Sequence, residues 1–246
     1  MRFAAATDIG KARTTNEDAF LACPISDGLF LAAVADGMGG GEAGGEASRM
    51  ALNAFRETLS SLVDRGASLE GAIGQAASRA NTRILKRSMA RFGYPGMGTT
   101  LTATVVQPGG FHVCHVGDSR AYVVGNGSAR QVTRDHSLVA EMVRQGDITE
   151  DEAMVHPQRN VLTQALGTRA RVLVDLEEFR TGRGDLILIC TDGLSGLVNR
   201  EEIARVIASA RHLEDAAASL VRLANERGGH DNITVVLVKP GGEDSC

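Results

Sequence analysis

Residues 29–50, LFLAAVADGMGGGEAGGEASRM, carry the pattern from which the fold of this chain is predicted. The apolar run at 29–35 predicts a buried strand, and it ends at a single carboxylate, Asp36. Six glycines follow at 37, 39, 40, 41, 44 and 45, and a backbone without side chains can turn sharply or approach another group closely. Apolar residues then recur at helical spacing over 46–63. The segment therefore predicts a strand with a carboxylate at its end, a side-chain-poor turn and a helix.

The rest of the chain continues in blocks of strands and blocks of helices. Strands are predicted at 2–7, 19–25, 29–35, 99–106, 111–117, 120–124, 172–179, 185–191 and 233–238, with a hairpin turn at 26–28. Helices are predicted at 46–63, 69–91, 200–209 and 213–227, and a helix-turn-helix-like patch at 137–155. Because the two types come in blocks rather than in strict alternation, we expect an α+β layered sandwich with antiparallel sheets. One domain is expected over 1–240, followed by a short tail at 241–246.

The composition excludes several classes of protein. A length of 246 residues, with 43% hydrophobic and 23% charged residues, suits one soluble domain. The net charge of −4 argues against a broad nucleic-acid interface, and no apolar run approaches the ~20 residues that span a bilayer. The cysteines are too scattered for a zinc knuckle or a disulfide framework: Cys23, Cys114, Cys190 and Cys246. We expect a cytoplasmic monomer that binds neither nucleic acid nor membrane.

Four carboxylates lie at the ends of predicted strands. Asp36, Asp118 and Asp192 each follow a strand, and Asp231 stands just before the last one. Because neighbouring antiparallel strands begin and end side by side, these four could gather at one rim of a sheet. Such a cluster repels itself unless its members take up protons or bind a cation. Oxygen ligands without Cys or His favour a hard ion, Mg²⁺ or Mn²⁺.

Seven motifs carry a resemblance to a known family. In chain order they are TDIGKARTTNEDA (7–19), VADGMGGGEAGG (34–45), GMGTTLTA (96–103), HVGDSRAY (115–122), TRDHS (133–137), CTDGLSGLV (190–198) and GGHDNITVVLV (228–238). The series resembles the metal-dependent Ser/Thr protein phosphatases of type 2C, the PPM family, in their bacterial single-domain form. The resemblance implies a four-layer α-β-β-α sandwich, with two central antiparallel sheets flanked by pairs of antiparallel helices. It also implies a two-metal centre at one edge of that sandwich.

The resemblance also implies the metal ligands. Asp36 would bridge two Mn²⁺ or Mg²⁺ ions, and the carbonyl of Gly37 would ligate one of them. Asp192 and Asp231 would complete the protein ligands of the other ion. Asp118 matches the position that, together with Asp192, can hold a third and weaker ion.

Further residues match supporting positions of the family. Glu17 and Asp18 match an acidic pair that binds metal-coordinated waters, and Arg13 matches the arginine that grips the substrate phosphate, a role that suits a planar fork of donors. Residues 145–166 resemble the flap beside the active site, where Asn160 is a weak candidate ligand. His136 lies inside a family motif and is a second weak candidate.

The implied reaction is hydrolysis of phosphoserine and phosphothreonine in proteins, a phosphoric monoester hydrolysis. A metal-bridging hydroxide would attack phosphorus in line with the leaving oxygen. The implied partners are a cognate Ser/Thr kinase and its phosphorylated substrates. Met38 occupies the position where many eukaryotic relatives carry a histidine that can act as general acid. Because methionine cannot donate a proton, we hypothesise that metal-bound water or solvent protonates the leaving oxygen.

The sequence leaves three other functions open. Residues 39–44 match G-x-G-x-x-G, although Asp36 would then face a pyrophosphate and the next predicted element is another helix. Cys114 and Arg120 have the spacing of a cysteine-dependent phosphatase loop, although Asp118 lies inside that loop. The third alternative is a catalytically silent, PPM-like regulator that binds phosphoproteins without turning them over.

Overall fold

Two antiparallel sheets of five strands each form the centre of the computed structural model, which describes residues 1–90 and 96–241. The first sheet contains, in spatial order, β1 (Arg2–Asp8), β12 (Ile233–Lys239), β11 (Leu186–Cys190), β8 (Arg120–Gly125) and β9 (Ser128–Gln131). The second contains β10 (Asp175–Arg180), β7 (Gly110–Val116), β6 (Leu101–Gln107), β3 (Leu29–Ala35) and β2 (Ala19–Ser26). A small antiparallel pair, β4 (Gly37–Met38) and β5 (Gly98–Thr99), follows the end of β3.

Helices cover the outer face of each sheet. The second sheet packs against α1 (Glu42–Asp64) and α2 (Leu69–Ser88), and the first packs against α5 (Asp192–Ser195), α6 (Arg200–Ser209) and α7 (Leu213–Glu226). Two shorter helices, α3 (Leu138–Gln145) and α4 (Glu150–Val155), lie between β9 and β10 in the chain. The four-layer α-β-β-α arrangement is thereby confirmed. Within residues 1–90 and 96–241, no helix combines the length and the apolarity that crossing a membrane requires.

Strand β3 is buried on both faces, which explains its unbroken apolar sequence. Leu31 and Ala33 belong to the apolar layer shared with α1 and α2, whereas Ala32 and Val34 belong to the layer between the two sheets. A strand covered on both sides has no polar face, so its sequence does not alternate. The chain is therefore apolar until Asp36, the first residue beyond the strand.

The strand and helix predictions are confirmed within one residue at each end for most elements, and α6 matches its predicted bounds. Helix α1 differs because it begins at Glu42 and includes two glycines. A Cβ at Gly44 would lie 2.9 Å from the main-chain carbonyl carbon of Gly37 and would also collide with the carboxylate of Glu17, so the first turn of this helix needs a glycine despite the cost in helix propensity. The second helix, predicted over 69–91, ends earlier, at Ser88 with Met89 as its C-cap, and most of the predicted tail, 242–246, lies outside the described residues.

Two predicted strands are corrected, and three short elements were not predicted. The strand predicted at 99–106 is broken at Thr100 into β5 and β6, and the strand predicted at 172–179 begins only at Asp175. The sequence pattern did not predict β4, β9 or α5, which are two to four residues long. Elements this short contain too few residues to establish a periodicity.

We expect Phe55→Ala to lower the free energy of unfolding by about 3–5 kcal/mol, because it opens a cavity between α1 and the second sheet. The Phe55 side chain has 0% of its surface exposed. Asn53→Ala, on the exposed side of the same helix, is the control and should change stability by no more than about 0.5 kcal/mol. Urea unfolding of both variants measures the difference, and equal effects would contradict the packing described here.

Candidate metal centre

A group of carboxylates converges at one edge of the sandwich. Burial raises the pKa of Asp36 well above its ordinary value, and the charges of Asp192, Asp18, Asp118 and Asp231 raise it further. Burial likewise raises the pKa of Asp192, and the charge of Asp231 raises it further. These are the shifts expected when acidic groups are crowded together away from water.

The carboxylates come from both sheets. Asp36 and Asp118 follow β3 and β7 of the second sheet, whereas Asp192 follows β11 and Asp231 precedes β12 of the first sheet. The prediction that they share the rim of a single sheet is therefore wrong. The sheets are stacked with these strand ends at the same edge, so that loops from the two layers meet there.

The main chain at Asp36 and Gly37 is fixed from several sides. The Asp36 N–H donates to the hydroxyl of Thr100 at 2.9 Å, and the Asp36 carbonyl accepts from the Thr99 hydroxyl at 2.7 Å and from the Thr100 N–H at 2.9 Å. The Gly37 N–H donates to the carbonyl of Glu17 at 3.2 Å. A Cβ at position 37 would collide with the carbonyl oxygen of Gly44, so that only glycine fits where helix α1 passes.

Asn232 joins the loops around the cluster. Its side-chain amide donates to the carbonyls of Ile9 and Thr15 at 2.9 and 3.0 Å, and its side-chain oxygen accepts from the Glu17 N–H at 2.8 Å. The Glu17 carboxylate in turn accepts from the Gly41 N–H at 2.8 Å. Asn232 was not among the residues predicted from the sequence, although it stands inside the GGHDN motif beside Asp231.

Two buried carboxylate oxygens favour the binding of a cation. Within the described part of the chain, Asp18 Oδ1 and Asp192 Oδ1 are among the few buried side-chain atoms that have no hydrogen-bond partner. The other oxygen of Asp18 accepts from the Thr191 hydroxyl at 2.8 Å, yet burial still raises the pKa of Asp18 to about 7. Unpaired buried oxygens are rare in folded proteins, and an all-oxygen donor set is what Mg²⁺ and Mn²⁺ bind. The residues present therefore fit the predicted ions.

Arg13 supplies positive charge at the edge of the cluster. Its guanidinium donates to Asp231 Oδ2 at 2.7 Å, and this hydrogen bond raises the pKa of Arg13. The Arg13 side chain is 48% exposed, so part of the guanidinium faces solvent. The second oxygen of Asp231 accepts from the Asn232 N–H at 2.8 Å.

Asp118 belongs to the same group of carboxylates. Burial raises its pKa well above the ordinary value, and the charge of Asp192 is the next largest cause. The hydroxyl of Ser119, the next residue, lies 2.8 Å from the hydroxyl of Thr100. Asp118 is therefore connected through its neighbour to the residue that holds the Asp36 main chain.

The cluster needs side-chain rearrangement before it can coordinate an ion fully. Across residues 1–90 and 96–241, no three His, Cys, Asp or Glu side chains are already grouped as a complete set of ligands. Both oxygens of Asp231 are engaged, one of them by Arg13. Ligation by Asp231 therefore requires that at least one of these contacts be exchanged.

The two weak candidate ligands, His136 and Asn160, have different surroundings. His136 Nδ1 accepts from the Gly117 N–H at 3.2 Å, and its Nε2 lies 3.2 Å from a carboxylate oxygen of Asp175. With both ring nitrogens engaged, this position favours a structural role for His136. Asn160 is exposed in the turn after α4, within the predicted flap. The flap returns beside His136, whose carbonyl accepts from the Thr163 N–H at 2.8 Å.

Two of the alternative interpretations conflict with the geometry. The Cys114 thiol is buried, and burial raises its pKa to about 12, so a reactive thiolate is disfavoured. Arg120 Nε donates to both carboxylate oxygens of Asp135 at 3.0 Å and a terminal guanidinium nitrogen donates to one of them at 2.7 Å, so the guanidinium is paired with Asp135 instead of facing a phosphate. After the glycines at 39–44, α1 leads into α2 and the sheets are antiparallel, which excludes the parallel βαβ unit of a dinucleotide site.

We expect Asp118→Asn to stabilise the protein in the presence of a chelator, with a larger rise in melting temperature at about pH 8 than at about pH 5.5. The pKa of Asp118 is raised in the folded state. The free energy of unfolding is therefore highest at a pH where Asp118 is protonated in both the folded and the unfolded protein. It falls as the pH rises from the pKa of Asp118 in the unfolded protein, about 3.9, through its higher pKa in the folded protein. Asparagine has nearly the same shape and does not ionise. Asp215→Asn, exposed on α7, is the control, and a gain independent of pH would contradict the expectation.

Comparisons with known proteins agree with this geometry. The family model described as protein phosphatase 2C matches residues 10–232. The chain is 38% identical over 237 residues to a serine/threonine phosphatase, Stp, of Listeria monocytogenes, covering 95% of this chain and 93% of the relative. A solved serine/threonine phosphatase from S. agalactiae superposes with a TM-score of 0.87 at 35% identity, covering 96% of this chain and 98% of that one. The catalytic domain of the phosphatase PstP, solved in complex with two manganese ions, superposes with a TM-score of 0.80 at 34% identity, with 96% of both chains covered. The chain therefore belongs to the protein phosphatase 2C family and is a hydrolase of the protein serine/threonine phosphatase class.

Proposed function

We propose that this chain hydrolyses phosphoserine and phosphothreonine in proteins with two Mn²⁺ or Mg²⁺ ions held by Asp36, the Gly37 carbonyl, Asp192 and Asp231. The observation that carries the proposal is the buried carboxylate cluster, in which Asp192 and Asp18 each keep one unpartnered oxygen. When bound, such a pair of ions neutralises phosphate charge and acidifies a coordinated water. Asp118 together with Asp192 is the proposed location of a third ion.

Main-chain rigidity around the cluster supports this role. The three hydrogen bonds between Asp36 and the Thr99–Thr100 main chain and hydroxyls hold the first ligand before any ion binds. A main chain fixed in advance leaves only side-chain freedom to be lost on binding, which favours affinity. Glu17 and Asp18 would orient coordinated water, since both are only 9% exposed and lie beside the ligand loops.

Arg13 is proposed to bind the phosphate of the substrate. One guanidinium nitrogen contacts Asp231, and the group is half exposed, which leaves donors directed toward solvent. A guanidinium can contact two phosphate oxygens at once and so orient the phosphoryl group for in-line attack. Met38, in β4, carries no transferable proton, and we propose that solvent protonates the serine or threonine oxygen as it leaves.

The substrates would be proteins phosphorylated by a Ser/Thr kinase of the same cell, and the flap at 145–166 would lie beside them. We propose a cytoplasmic monomer with one domain over 1–240. A silent phosphoprotein-binding regulator is the alternative, but the chain keeps every carboxylate of the cluster as well as Arg13.

We expect Asp192→Asn to reduce Mn²⁺-dependent hydrolysis of an aryl phosphate and of a phosphothreonine peptide by at least about 100-fold, because a charged metal ligand is lost. The melting temperature in chelator should not fall, since a buried charge is removed. Asp215→Asn, an exposed change of the same type on α7, should keep full activity. Undiminished turnover by Asp192→Asn would contradict the proposed site. Inactivity of the intact wild-type protein in saturating Mn²⁺ would instead support the silent regulator.

We expect Arg13→Ala to lower kcat/KM for the phosphopeptide by about 10- to 100-fold, and Arg13→Lys to recover only part of the loss, because lysine cannot make the bidentate contact. Mn²⁺ affinity measured by calorimetry should not weaken, because the guanidinium competes for Asp231. Arg211→Ala, in the exposed turn before α7, is the control. An unchanged KM and kcat for Arg13→Ala would exclude Arg13 from phosphate binding.

A further inference from the structure

Thr100 lies between the two loops that carry Asp36 and Asp118. It occupies the break between β5 and β6, and only 1% of its surface is exposed. Its hydroxyl accepts from the Asp36 N–H at 2.9 Å, and its own N–H donates to the Asp36 carbonyl at 2.9 Å. The same hydroxyl lies 2.8 Å from the hydroxyl of Ser119, which is fully buried.

The methyl group of Thr100 contacts the other side of the Asp118 loop. A Cβ built at Gly117 would lie 2.5 Å from Thr100 Cγ2 and 2.7 Å from Thr100 Cβ, so the threonine side chain fills the space that a side chain at 117 would need. Gly117 also has a φ of +113°, which favours glycine. Thr100 therefore contacts both neighbours of Asp118, Gly117 through its methyl group and Ser119 through its hydroxyl.

We propose that Thr100 is a positioning residue that sets the spacing between Asp36 and Asp118 and thereby the affinity of the cluster for divalent cations. The inference rests on the proposed function, in which these two carboxylates are metal ligands. Asp36 cannot shift relative to Asp118 without breaking a buried hydrogen bond or the contact at Gly117. A buried hydroxyl deprived of its partner is costly, which makes this connection stiff.

The contacts of Thr100 with the Asp36 and Asp118 loops are not a general property of buried threonines. Thr104, on β6, is equally buried, and its hydroxyl donates to the Ala32 carbonyl at 3.4 Å in the middle of β3. It contacts no carboxylate loop in the hydrogen bonds described for it. Thr104→Val is therefore a matched control that removes a buried threonine hydroxyl from the same sheet.

The experiment compares Thr100→Val, which keeps the methyl contact and loses the hydroxyl, with Thr100→Ser, which keeps the hydroxyl and loses the methyl. Mn²⁺ affinity is measured by calorimetry and by the rise of the melting temperature with Mn²⁺, and kcat and KM for an aryl phosphate are measured over a range of Mn²⁺ concentrations.

We expect Thr100→Val to weaken Mn²⁺ binding by about tenfold, the lower end of effects seen for residues that orient metal ligands. Raising Mn²⁺ should restore kcat. Thr100→Ser should lose less affinity than Thr100→Val, and Thr104→Val should bind Mn²⁺ within about threefold of wild type.

Ser119→Ala removes the hydroxyl that pairs with Thr100, and it tests the same proposal if Thr100→Val does not fold. It should also weaken Mn²⁺ binding, and combining it with Thr100→Val should add less than the sum of the two losses. Wild-type Mn²⁺ affinity in Thr100→Val, or equal losses in Thr100→Val and Thr104→Val, would overturn the inference while leaving the proposed function intact. Wild-type protein that neither binds Mn²⁺ nor depends on it would overturn the proposed function as well.

Discussion

Repulsion among buried carboxylates is the constraint on which this structure depends. Asp36, Asp118 and Asp192 all have raised pKa values, with burial as the largest cause and neighbouring acids as the next contribution. Such a group is tolerated only if protons, a nearby cation or coordinated metal ions offset the charge. Arg13 provides part of that offset at Asp231, and hard divalent ions would provide the rest.

The surrounding fold holds this unfavourable arrangement in place mainly through main-chain contacts. Thr99 and Thr100 fix the backbone of Asp36, and Asn232 ties together loops that are far apart in sequence. Glycines are required where these loops touch: a Cβ at Gly193 would collide with the carbonyl of Asn232, as one at Gly37 would with that of Gly44. The apolar layers on either side make the loops converge, and the polar contacts then set their relative positions.

Much of the fold could be predicted from local sequence pattern, because the signals are strong and short in range. The doubly buried strand β3 has an unbroken apolar run, and α6 has an asparagine cap followed by helical periodicity. The carboxylates could be found because each stands at a strand end. Which sheet supplies each of them could not be predicted, since β12 pairs with β1 and β11, distant strands that no local pattern connects. The roles of Thr100, Ser119 and Asn232 were missed for the same reason: the hydrogen-bond partners described above lie 19 to 223 residues away along the chain.

The division of the cluster between the two sheets has a consequence for dissection of the molecule. Asp36 and Asp118 belong to one layer, while Asp192 and Asp231 belong to the other, so neither half of the sandwich alone contains a complete set of acidic groups. A chain cut between α4 and β10 would yield an amino-terminal piece without Asp192 and Asp231, and a carboxy-terminal piece without Asp36 and Asp118. Catalysis would then require the fragments to reassociate into a native sandwich. The fold thus has the property needed for fragment complementation, in which enzymatic output reports that two polypeptides have come together.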